Sequence, residues 1–397
     1  MKFSKKIHRI QPSMTLAVDA KAKKLISNGE DIISFGAGEP DFDTPDKIKQ
    51  AGIAAIEKNV THYTQVGGMV SLKQAILNKF ERDNNLIYDK NQIMVSCGAK
   101  HSLFNIAQVL WEEGDEIIVP APYWVSYPDI IRYAGAKPII IDTLSSNGFK
   151  ITPSQINSAI TPNTRAIIIN SPSNPTGSAY SKIELELIAE CALSNKLLIV
   201  SDEIYEKIVF DGFEQHSICS IGKEVQNNSI LVNGVSKSYA MTGWRIGYLA
   251  ANEKIVKQIE KLQGQSTSNP TSISQMASIT ALNDSEADVR QMVDEFQKRR
   301  DFLFNCLIKI PFVKCYKPVG SFYMFPDFSA FYGKSFKGIK VNNSTQLASF
   351  LLEEGKVVLV PGIAFGADRN LRISFAASMD TIKNGVDRII KTLELLK

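Results

Sequence analysis

Six short apolar runs recur between residues 93 and 232: Ile93-Met94-Val95, Glu116-Ile117-Ile118-Val119, Pro138-Ile139-Ile140-Ile141, Ala166-Ile167-Ile168-Ile169, Leu197-Leu198-Ile199-Val200 and Ile230-Leu231-Val232. Nearly unbroken apolar runs of this length suit strands of a parallel sheet that are buried on both faces. Longer segments with one apolar side lie between them, at 100–113, around 123–134 and at 181–195, and these are predicted helices. Repeated alternation of the two patterns predicts a doubly wound α/β sheet.

Past residue 252 the pattern changes. Helical spacing runs over 253–263 and then, as one long stretch, over roughly 272–309. A mixed region follows, with candidate strands at 320–324, 357–360 and 371–375. The predicted organisation is a large α/β domain over 46–285 and a smaller α+β domain over 286–397. Residues 1–45 are assigned to an N-terminal arm and part of the small domain, because Ile32-Ile33-Ser34-Phe35 reads as a single strand with no local partner. No internal repeat or flexible linker interrupts the chain.

Composition narrows the class. At 397 residues, 44% apolar and 22% charged, the chain has the make-up of a globular protein of two or three domains. A formal charge of +4 gives no reason to invoke nucleic acid, although small anionic substrates fit it. The basic start, MKFSKKIHRIQPSMTLAV, lacks the apolar core of a secretory signal, and no run approaches the ~20 apolar residues of a membrane span. Five scattered cysteines suggest reduced thiols and a cytoplasmic location, and four histidines without ligand spacing give no metal site.

The chemistry gathers where predicted strands end. Asn170-Ser-Pro-Ser-Asn174 follows one apolar run, Ser201-Asp202-Glu203-Ile204-Tyr205 another, Asn233-Gly234-Val235-Ser236-Lys237 a third, and Ser96-Cys97-Gly98-Ala99-Lys100 opens a helix. Ligands of open parallel sheets bind beyond the carboxyl ends of the strands, so these groups can share one crevice. The Gly98-Ala99-Lys100 turn offers amides and a positive dipole end to a phosphate, with Ser236 and Arg245 available to complete the seat. Asp202 can pair with a protonated ring nitrogen, and Asn174 and Tyr205 can donate to a phenolate. Lys237, desolvated among cations, becomes a nucleophilic amine. Together these are the recognition groups for pyridoxal 5′-phosphate.

The segments SPSNPTG, SDEIY and NGVSKSYAMTGWRIGY, with GAGEPDFDTP, PYWVSYPD and LRISFA, resemble the signatures of class I/II aminotransferases of pyridoxal phosphate fold type I, most closely the prokaryotic-type aspartate branch. The ordered set spans nearly the whole chain. The resemblance implies a mostly parallel large domain with a smaller α+β domain, and ping-pong transamination between L-aspartate and 2-oxoglutarate. Aromatic, alanine or prephenate substrates are the alternative, and a lyase or synthase of the same fold is a more distant one. By the resemblance Lys237 is the Schiff-base lysine, Asp202 the ring-nitrogen partner, and Tyr205 and Asn174 the O3′ partners. Trp124 stacks on the ring, while Gly98, Ala99, Lys100, Ser236 and Arg245 lie in the phosphate-binding segments. Gly38 and Arg372 hold the substrate α-carboxylate, with Trp124 and Asn174 beside it, and Lys100, Ser13 and Thr15 face the distal carboxylate. Tyr63, in THYTQVGG, matches a tyrosine that reaches the cofactor phosphate of the neighbouring subunit, which implies a homodimer with shared sites.

Overall fold

A computed structural model describes residues 1–397, the side chain of Asp19 excepted. Its centre is a seven-stranded sheet in the order Ile93–Ser96, Gly247–Ala250, Ser229–Gly234, Leu198–Asp202, Thr164–Asn170, Glu116–Ala121, Lys137–Asp142. All six runs read from the sequence are in it and share one direction. Gly247–Ala250 is antiparallel to both neighbours and was not anticipated.

The central strands lack a polar face because both faces are covered. Along Thr164–Asn170, Ile167 and Ile169 join one core with Phe80 and Leu185, while Ala166 and Ile168 join another with Leu103 and Ile131. Fully burying an isoleucine is worth about 1.5–3 kcal/mol, so a polar residue at any of these positions would carry a large penalty. The covering helices include Ala99–Leu110, Tyr127–Ala134 and Lys182–Ser194. Lys182–Ser194 begins with a capping box, Ser181 and Glu184 each satisfying the other's backbone amide.

The expected single helix over 272–309 is two, Ser272–Asp284 and Glu286–Leu307. Ser285 breaks it: its backbone leaves helical geometry at φ −112° and ψ 18°, and its hydroxyl bonds back to the Thr280 carbonyl. The preceding Asn283-Asp284 pair also competes with a helical backbone. The 357–360 run likewise divides. Val357–Val358 pairs in parallel with Ile33–Ser34, while Val360–Pro361 pairs with Leu371–Ser374, which in turn pairs with Tyr323–Met324. The lone strand near the N-terminus thus finds its partner more than 300 residues away. A third core, rich in phenylalanine, joins this C-terminal region to Phe35, Ile204 and Tyr205. Among the described residues no helix is long and apolar enough to cross a membrane.

Candidate active site

Register brings the strand tips level. Asn170 lies opposite Asp202, Asp202 opposite Val232, and Gly247 opposite both Gly234 and Ser96. The loops beyond these tips enclose a cavity of about 530 Å³. Its lining includes Ser13, Thr15, Gly38, Ala99, Lys100, Trp124, Asn174, Asp202, Tyr205, Ser236, Lys237, Arg245 and Arg372. Nearly every candidate residue is therefore in one place.

Asn170 explains how the SPSNP turn aims Asn174. The Asn170 side chain donates to the Asp202 carbonyl at 2.9 Å and accepts the Asn174 amide at 2.9 Å, which locks the turn to the sheet edge. Asp202 is 5% exposed and accepts the Tyr127 hydroxyl at 2.6 Å. Burial pushes its carboxyl up to about 6; the Tyr127 bond, the Ile204 amide and the charge of Lys237 pull the other way. Tyr205 donates to or accepts from Tyr323 at 3.1 Å, and burial raises both phenols.

Lys237 hydrogen-bonds the Gly38 carbonyl. Burial pulls its amine down to about 8, and the cations of Arg372, Arg245 and Lys100 add to this against the opposing charge of Glu39. Glu39 accepts the Thr242 hydroxyl at 2.6 Å, tying the Gly38 segment to the lysine loop. Lys100 lies over the Trp124 ring at 4.9 Å, its amine depressed by burial and by Arg245.

At the cradle, Gly98 has φ +94°, and a Cβ there would sit 2.3 Å from Arg245 Nη2. Arg245 bonds the Thr242 and Cys97 carbonyls at 2.7 and 3.3 Å, which holds its guanidinium over the start of the Ala99–Leu110 helix. Gly247 lets the two backbones touch, for its Cβ would fall 2.1 Å from the Ala99 amide nitrogen.

Arg372 is 3% exposed and forms no ion pair with a carboxylate among the described residues. It donates to Asn174 Oδ1 at 3.1 Å and to the Gly36 carbonyl at 2.8 Å, lies 4.5 Å from the Tyr323 ring centre, and leaves Nε without a partner. Ser13 caps the Met14–Ser27 helix and meets the Thr15 hydroxyl at 3.0 Å. Tyr63 stands apart: it is 92% exposed and does not line the cavity.

Sequence reasoning missed Tyr127, Tyr323 and Glu39, and named Asn170 at its strand end without giving it a role. Tyr127 and Glu39 sit inside quoted motifs, PYWVSYPD and GAGEPDFDTP, but an aromatic or acidic residue in a motif carries no sign of its partner.

The fold and site define a transferase of pyridoxal phosphate fold type I. Residues 30–389 match the family model for aminotransferase class I and II. An aspartate aminotransferase of Geobacillus stearothermophilus is 46% identical over 394 residues, covering 99% of each chain. A probable aspartate/prephenate aminotransferase of Rickettsia conorii is 45% identical over 396 residues, again covering 99% of each. The crystal structure of the aspartate aminotransferase from Rhizobium meliloti superposes with a TM-score of 0.97 at 40% identity, over 100% of both chains. The chain belongs to the class I and II aminotransferase family.

Proposed function

We propose that the protein is a pyridoxal phosphate-dependent aspartate aminotransferase, converting L-aspartate and 2-oxoglutarate to oxaloacetate and L-glutamate. The observation that carries the reading is Arg372, a buried guanidinium with no carboxylate of its own, facing the same cavity as the Lys237 amine. A buried cation without an anion is costly, so the site is built for a carboxylate that arrives with a substrate. The aspartate aminotransferases among the relatives support the same substrate.

The side chains present fit the cofactor. With no side chain at position 98, Arg245 lies directly against the turn that opens the Ala99–Leu110 helix, so a guanidinium and the helix start both border the cavity, a set of donors that suits a phosphate. Gly98, Ala99, the backbone amide of Lys100, Ser236 and Arg245 would hold that phosphate, Asp202 the ring nitrogen, Asn174 and Tyr205 the phenolic oxygen, Trp124 the ring face, and Lys237 the aldehyde carbon. The bound cofactor supplies a carbonyl that accepts the amino group and a protonated ring that takes up the electron pair left at Cα.

The chain supplies the rest. Lys237 Nζ, with its pKa pulled down to about 8, removes the proton at Cα and would deliver it to the former carbonyl carbon, as a general acid–base. Asp202, ionised at neutral pH with a pKa of about 6, keeps a proton on the ring nitrogen. Arg372 and Gly38 orient the α-carboxylate. Lys100, with Ser13 and Thr15 across the cavity, receives the distal carboxylate. Tyr63 acts in the site of a second subunit, so the working form is a homodimer, and we place it in the cytoplasm.

Borohydride reduction of the purified protein should fix the cofactor on Lys237, and turnover of aspartate should require an oxo acid. Lys100→Ala should lower kcat/KM for aspartate about 100-fold, and far less for a neutral amino acid. Turnover without an oxo acid would overturn the transaminase reading, and unchanged selectivity would overturn the role of Lys100.

A further inference from the structure

Tyr63 lies in a segment that is exposed at its tip yet fixed at its base. Two glutamines do the fixing, and both are 0% exposed. Gln275, on the Ser272–Asp284 helix, accepts the Met69 amide at 2.7 Å and donates to the Thr64 hydroxyl at 3.1 Å and the Pro270 carbonyl at 2.8 Å. Gln263, at the end of the Glu253–Gly264 helix, donates to the Val66 and Val95 carbonyls, both at 2.9 Å, and accepts from Asn105 at 3.2 Å. Ser272 adds a bond to the Val60 carbonyl at 2.6 Å. Between these anchors Thr61, His62 and Tyr63 project into solvent.

Burying two primary amides is unfavourable unless their polar atoms are satisfied, and here the oxygen and nitrogen of both are engaged. A loop needing only to connect two helices has no use for such bracing. Loops on protein surfaces are ordinarily mobile, and a mobile tyrosine would lose conformational entropy on meeting a ligand. Bracing removes that loss in advance. We infer that Gln275 and Gln263 are positioning residues that preorganise the 60–69 segment so that Tyr63 of one subunit meets the phosphate held in the other. This inference rests on the shared-site reading proposed above.

The two glutamines differ in a way that can be measured. Gln263 also holds Val95 and Asn105, on the elements that flank the cradle of its own subunit, whereas the side-chain hydrogen bonds of Gln275 go only to the Tyr63 segment and the Pro270 turn. Gln275 should therefore act purely across the interface.

The test uses hybrid dimers carrying two different affinity tags, in which one chain is Lys237→Ala, so that only the other chain can bind cofactor covalently. The readout is the dissociation constant for pyridoxal phosphate, followed through the visible absorption of cofactor attached to Lys237. Gln275→Met placed on the Lys237→Ala chain should weaken binding at the intact lysine about fivefold to tenfold. Placed on the chain that keeps Lys237, it should leave binding unchanged. Thr64→Val removes the loop side of the same contact without touching a helix, and should repeat the pattern more weakly if Gln275→Met folds poorly.

Tyr63→Phe is run in both arrangements. If it weakens binding only from the opposite chain while Gln275→Met and Thr64→Val are silent or act within their own chain, the bracing role is overturned and the shared site stands. If Tyr63→Phe has no effect across the interface, the shared-site reading falls and the inference falls with it.

Discussion

The Tyr127 hydroxyl donates to Asp202 Oδ2 at 2.6 Å, so the acid at the tip of the Leu198–Asp202 strand is held by a residue from the first turn of the Tyr127–Ala134 helix. The bond aims the carboxylate and offsets part of the cost of burying it. That cost remains considerable, since the carboxyl stays raised to about 6.

Asp202 should therefore weaken the fold it serves. Its folded pKa lies above the ordinary aspartate value of 3.8, so folding favours the protonated acid. Its contribution to stability is fully present below about pH 4 and is lost as pH rises through about 6. In protein freed of cofactor, Asp202→Asn should be more stable than the parent by roughly 1–3 kcal/mol at pH 7.5, and equal to it below pH 4. Urea unfolding at the two pH values measures this, and the same variant should lose transaminase activity by more than about 100-fold.

Lys237 should react as an amine with a pKa of about 8 rather than 10.5. The rate at which it captures pyridoxal phosphate should rise with pH and level off just above 8. A rate still climbing steeply at pH 10 would show that burial and the neighbouring cations do not depress it.

Arg372→Lys should be far from conservative. The guanidinium uses one nitrogen on Asn174 and another on the Gly36 carbonyl while the buried Nε has no partner, a planar arrangement that a single ammonium cannot reproduce. KM for both the amino acid and the oxo acid should rise about 30-fold to 100-fold, and cofactor binding should change little. Steady-state kinetics beside a cofactor titration separates the two effects.

Gly98→Ala should injure phosphate recognition in particular. The methyl group would meet Arg245 Nη2, and the backbone would keep a positive φ that alanine rarely adopts. Affinity for pyridoxal phosphate should fall about tenfold to 100-fold, and that for unphosphorylated pyridoxal should fall much less. Equal losses for both would place the damage elsewhere in the site.

What the sequence disclosed follows a physical division. Asp202, Asn174 and Lys237 were legible because each stands just beyond an apolar run, where a polar residue needs a reason. The six parallel strands were legible because burial on both faces leaves no polar position to confuse the pattern. Gly247–Ala250 escaped because it is short and follows the lysine loop, where its apolar residues read as part of the motif. Tyr127 and Tyr323 escaped for another reason: a tyrosine among apolar neighbours looks like packing, and only the folded chain shows where its hydroxyl points. Gln263 and Gln275 were invisible in the same sense, since an amide within a helix gives no sign that it is buried.

The reversed direction of Gly247–Ala250 governs the layout of the lysine loop. The chain leaves the sheet after Gly234, delivers Lys237, turns, and re-enters at Gly247 through Arg245, so outward and homeward legs meet at the same edge. The amine and the guanidinium are thereby set in phase by a fixed count of residues. Adding or deleting one residue between them would break that phase, so this stretch should tolerate a change in length poorly.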